Sequence, residues 1–180
     1  MSASAFQHLL KTAEPAGLGP SPRYGVESIA ALNSAVDAAL KVLTLDQRQS
    51  DLVRALILLW HDHLEASHVI AQRYEEDADG SYVHAIMHRR EPDYSNAKYW
   101  FHRVRQHPAY ATLAGRTEKL LSDDAGLRGA LLTSGKWDAV AFVDACEEVA
   151  SFPDDNPRVR RLQALQQVEF ENLLDYLLRP

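Results

Sequence analysis

The chain has a single cysteine, Cys146, among 180 residues. One thiol excludes an intrachain disulfide and any zinc cage built on thiolates. Its setting, DACEEV, is acidic and reads as helical, which disfavours the thiolate, so a buried structural cysteine is expected. Long apolar runs are missing as well: nothing approaches the ~20 residues that span a bilayer, so no membrane partner is expected. The N-terminus has no basic stretch followed by an apolar one, which sets the expectation of no secretory signal and a cytoplasmic location. Basic charge is in short supply. Lys and Arg number 19 against 25 Asp and Glu, a net −6, so the chain has little with which to neutralise phosphates, and nucleic acid is not an expected partner. A Gly-rich phosphate loop, a G-x-S-x-G elbow and a dinucleotide fingerprint are all absent. The acidic stretches EEDADG and SFPDDNP lack the spacing of a calcium loop and read as solvated turns. Alternating β-branched runs are also missing, so no sheet is expected.

What remains is an ordinary globular composition, 46% hydrophobic and 24% charged, on a length suited to one domain. Residues 1–24 carry Pro15, Pro20 and Pro22 with glycines at 17 and 19, and read as an extended N-terminal arm draped on a helical domain of 25–180. The apolar spacing of Ile29, Leu32, Val36 and Leu40 predicts a helix over 26–42. A long helix of about 45–75 follows, capped by Thr44 and ended by the turn before Gly80. Further helices are expected over 81–91, 95–106, 109–114, 117–134 and 136–150, with Asn156-Pro157 starting the last. The expected fold class is all-α: a single-domain multi-helix bundle of six to eight helices without a sheet.

Seven of the eight histidines lie between His61 and His107. In HDHLEASH, His61, Glu65 and His68 stand at i, i+4 and i+7, and in SYVHAIMHRRE, His84, His88 and Glu91 repeat those offsets. Residues so spaced share a helix face. Two facing stripes of imidazole and carboxylate suit a divalent metal such as zinc, iron, manganese or nickel. His61, Glu65, His68, His84 and His88 are the candidate ligands, and the identity of any metal stays open. Glu65-x-x-His68 has the spacing of di-iron carboxylate bundles, but no second Glu-x-x-His occurs, and His-Glu-x-x-His is absent. Helix-surface histidines making i,i+4 contacts with glutamates are the plainer reading. His63 points with the apolar residues and is expected in the core, bonded to a backbone carbonyl.

The segment HRREPDYSNAKYWFHRVRQHP is basic and aromatic. Arg90 falls in the apolar arc of its helix and needs a carboxylate partner, with Glu65 and Asp93 nearest in the pattern. Arg89, Lys98 and Arg90, beside a helix N-terminus near Ser95, are candidates for holding a small anion. Simple capping of that terminus by Asp93 or Ser95 is the alternative. Ala97, Trp100, Phe101 and Val104 share a face and are core by spacing. The stretch HRRE-x-D-Y-x-N-A-K-Y-W resembles a family of uncharacterised bacterial and fungal helical proteins. The likeness covers roughly 84–108 and, more weakly, WHDHLEASH. It implies that 61–108 works as one unit, and it implies no catalytic residue.

Two functional readings follow. The first is a His/Glu-rich polar pocket between 45–75 and 81–106 that binds a divalent metal or a small anionic ligand; whether it is an enzyme stays open. The second is a non-enzymatic helical module for protein interaction or self-association, with a homo-oligomer as one form.

Overall fold

A short polar residue precedes most of the helices, and its side chain accepts a hydrogen bond from the first turn. Ser28, Asp46, Asp77, Asp93, Asp124, Asp138 and Asn156 all do so. Such caps contribute about 1 kcal/mol each and set where each helix begins. The computed structural model describes residues 6–179. Its helices are α1 (Ile29–Leu40), α2 (Gln47–Trp60), α3 (Leu64–Ala71), α4 (Ala78–Arg90), α5 (Tyr94–Val104), α6 (Ala109–Thr117), α7 (Ala125–Leu131), α8 (Ala139–Glu148) and α9 (Pro157–Leu177). Among the described residues these are nine α-helices, more than the six to eight expected. A two-stranded hairpin, β1 (Leu132–Thr133) paired antiparallel with β2 (Lys136–Trp137), is also present where no sheet was expected. The fold remains essentially helical. Among the described residues no helix is long and apolar enough to cross a membrane.

The expected 45–75 helix is two helices. It begins at Asp46, whose carboxylate and Gln49 form a capping box, rather than at Thr44. It breaks at His61–His63, where Asp62 takes φ 65°. The amides of Asp62 and His63 bond back to the carbonyls of Leu59 and Leu58, the paired closure of a Schellman turn. Aspartate tolerates this left-handed position better than most residues. Here its side chain has further partners: Asp62 Oδ1 accepts from Arg90 at 2.7 Å and Oδ2 from Arg23 at 2.8 Å. The next helix pair repeats the turn, with Asp93 N bonding His88 O at 3.0 Å. Pro92 has no amide to make the second bond.

Helix α4 is central, packed by α2, α3 and α5, and every residue from Asp79 to Arg90 is buried. The amphipathic face expected over 81–91 is therefore enclosed on all sides. Gly80 lies inside the first turn of α4 and is not a break. A Cβ there would come within 2.2 Å of Tyr74 O, so only glycine permits this approach. The charged residues of α4 find partners inside the protein. Arg89 donates to Glu169 Oε2 at 2.5 Å and to Gln166 Oε1 at 3.3 Å on α9.

The described part of the N-terminal arm lies on this core. Phe6, Leu10 and Ala16 are buried. Gln166 donates to Ala16 O and Gly17 O, and Arg90 donates to Gly19 O. Cys146 is fully buried, and burial pushes its thiol up to about 12, so it is a packing residue.

Candidate metal centre

The turn at Asp62 decides which histidines meet. It redirects the chain so that α3 lies on α4, and His68 comes to the side of α4 that carries His84 and His88. One ligand nitrogen from each of these three lies within 4.8 Å of the others. His84 and His88 are one turn apart on α4, and their Nε2 atoms face each other at 2.9 Å. Both rings are buried, while His68 is half-buried and forms the outer member. The indole of Trp100, on α5, stacks on His84 at 4.3 Å between centroids and walls the inner side.

Carboxylates stand behind two of the rings. Glu91 Oε2 is 3.1 Å from His88 Nδ1, and Glu75 Oε1 is 3.7 Å from His84 Nδ1. The first of these contacts puts the His88 proton on Nδ1 and leaves Nε2 as a lone pair. His84 then has two choices. It can donate from Nε2 to His88, which leaves its buried Nδ1 as an acceptor facing a carboxylate. It can instead carry its proton on Nδ1 toward Glu75, which brings two lone pairs together at 2.9 Å. As it stands, His84 Nδ1 has no hydrogen-bond partner.

Burial lowers the basicity of both rings. The His84 pKa falls to about 3, through burial first and then through the neighbouring His88 and His68. His88 is lowered by burial against the opposing pull of Glu91. Both are therefore neutral near pH 7, the form in which imidazole ligates a metal. Glu75 also lines a surface cavity of about 710 Å³ together with Ser81 and Arg103.

The other expected ligands lie elsewhere. His61 ends α2 and is buried against the arm, where its Nε2 bonds Leu9 O at 2.8 Å and its Nδ1 accepts from Glu27 N. Glu65 points to solvent. The i+7 relation that tied His61 to His68 fails because the helix ends between them, while Glu65 shares α3 with His68 but lies on its exposed side. His63 bonds the backbone carbonyl of Glu27 at 2.7 Å, but it is half-buried rather than core.

The three cations considered for an anion site are engaged by the chain itself. Arg89 pairs with Glu169, and Lys98 with Asp144 and Glu147. Arg90 pairs with Asp62, not with Glu65 or Asp93. The α5 terminus is capped by Asp93. Trp100, Phe101, Ala97 and Val104 are buried as their spacing implied.

Three contributors were missed from sequence: Glu75, Trp100 as a ring partner, and Asn96, whose Nδ2 lies 3.1 Å from His88 Nε2. Glu75 stands seven residues after His68, a helical spacing that was available; for the other two no signal was. Comparison with models of known protein families, with curated proteins and with solved structures found no match.

Proposed function

We propose that the protein binds a divalent transition metal through His68, His84 and His88, with zinc the best fit to three neutral imidazoles. One observation carries the reading: every placement of the ring protons on the neutral, buried His84–His88 pair leaves a nitrogen lone pair facing a carboxylate or another lone pair, and a cation between the rings removes that conflict. With the proton of each ring on Nδ1, toward Glu75 and Glu91, both Nε2 lone pairs turn to one point. Carboxylate behind a ligating imidazole is the usual way of fixing its tautomer and raising its donor strength. Tetrahedral zinc places ligand nitrogens roughly 3.3 Å apart, so the 2.9 Å pair needs to open by only a few tenths of an ångström.

Three histidines leave a fourth position. A centre of that kind supplies a Lewis acid and an acidified water. Asn96 stands beside His88 and is placed to hydrogen-bond whatever fills that position. Glu75, Glu91 and Asp93 supply negative charge around the group, which offsets the dication.

Zinc titrated by calorimetry into chelator-treated protein is expected to occupy one site per chain and to raise Tm. At about 100-fold above Kd the gain is roughly 2.7 kcal/mol. His84→Ala and His88→Ala each abolish both signals, and Glu91→Gln weakens affinity about 10–100-fold. No heat and an unmoved melting curve for the parent protein would discard the proposal.

A further inference from the structure

A second cavity, of about 780 Å³, lies between the end of α5, the start of α6, the hairpin and the start of α8. Its size is in the range that small-molecule sites occupy. Phe101, Tyr110, Trp137 and Val140 provide apolar wall, and Arg105 and Lys136 provide charge. Neither cation forms an ion pair among the described residues. Of the cavity's two carboxylates, Asp144 pairs with Lys98, and Asp138 caps α8 by accepting from Ala141 N while keeping its charge. Two unpaired cations against one unpaired carboxylate leave a positive excess in the lining.

Two further observations set this cavity apart. Tyr110 Oη and Trp137 Nε1 belong to lining residues that are more than nine-tenths buried, and neither atom has a hydrogen-bond partner. Both atoms are themselves closed to solvent, so they mark incompletely satisfied packing in the cavity wall rather than contacts a ligand makes in place. Arg105 itself sits at φ 57°, ψ −124°, a left-handed conformation that favours glycine. Arginine is held there at a cost in backbone strain, and strain of this kind gathers at binding sites.

We propose that this cavity binds a small amphipathic organic anion, an aromatic carboxylate in kind, with its ring against Phe101 and Trp137 and its charge at Arg105 and Lys136. The site is separate from the three histidines and does not depend on them.

The test uses a matched pair, 2-naphthoate and its neutral amide, in equilibrium dialysis with the full chain. One naphthoate per chain is expected, held roughly tenfold or more tighter than the amide, as a hydrogen-bonded charge implies. The double variant Arg105→Gly and Lys136→Gln removes that preference. The glycine accepts the φ 57° backbone, so the variant keeps its fold, which a cooperative melt at or above the parent's Tm confirms. His84→Ala leaves naphthoate binding as it was, which separates this site from the metal centre. Equal binding of acid and amide, binding unaltered in the double variant, or none at all would each overturn the proposal.

Discussion

In the stripe of His84, His88 and Glu91 the three side chains form a connected row, each within hydrogen-bond reach of the next. In the stripe of His61, Glu65 and His68, with identical offsets, each goes to a different place: the arm, solvent and the histidine group. The difference lies in the backbone. The second stripe rides on one helix through His88 and ends at the cap, Glu91. The first is cut by the left-handed residue Asp62, so the segment after it runs in a new direction. Periodicity carries spatial information only as far as the helix persists. What breaks the first stripe also delivers His68 to the second, so the turn and the candidate centre are one feature of the fold.

Three measurements press on this comparison. The largest effect is expected at the turn. Asp62→Ala strands Arg90, which is fully buried, along with Arg23, and should cost about 3–5 kcal/mol in urea unfolding, as removing one partner of a buried pair does. A loss under 1 kcal/mol would mean that the turn does not hold the stripes apart. Next is the pH dependence of His61. Its folded pKa is lowered from 6.5, by burial first, despite the bond to Leu9 O. Below pH 6.5 the unfolded chain takes up a proton that the folded ring refuses, so stability falls as the pH drops through that range. One such group contributes a slope of at most about 1.4 kcal/mol per pH unit. His61→Gln should flatten the curve of unfolding free energy against pH; an unchanged slope would contradict a neutral, buried His61. The smallest effect belongs to Glu65. Glu65→Ala should shift stability by less than about 0.5 kcal/mol and leave zinc affinity unchanged. A tenfold weaker affinity would return Glu65 to the ligand set.

The helical class, the burial of Trp100 and Phe101, the start at Asn156-Pro157 and the buried cysteine were all legible, because each rests on local spacing or on one residue's preference. Of the candidate centre, His68, His84 and His88 were among the five residues that spacing named, in company with His61 and Glu65, and these three lie together. The break that parts His61 from the rest carries neither glycine nor proline, the usual marks of a helix end. Asp62 is stabilised there by Arg23 and Arg90, which come from 39 and 28 residues away. A contact of that range leaves no trace in a window of a dozen residues. Arg89 and Arg90 misled for the same reason: on a surface helix two arginines suggest an anion site, but α4 is enclosed, and each already faces a carboxylate of the chain. The hairpin at 132–137 is too short to show a period at all.

The N-terminal arm has a consequence for the order of assembly. Its anchors are His61 on α2, Arg90 on α4 and Gln166 on α9, and the last of these bonds spans 150 residues of sequence. Those three side chains come together only when the helices have already packed. Contacts of such long range close late, since the entropy of a large loop must be met first. The arm is therefore the last piece to dock and the first to lift away. In hydrogen exchange, the amide of Arg23, held by Asp62, would open ahead of the interior amides of α4. Protection at Arg23 would then report, at a single amide, that the whole bundle beneath it is complete.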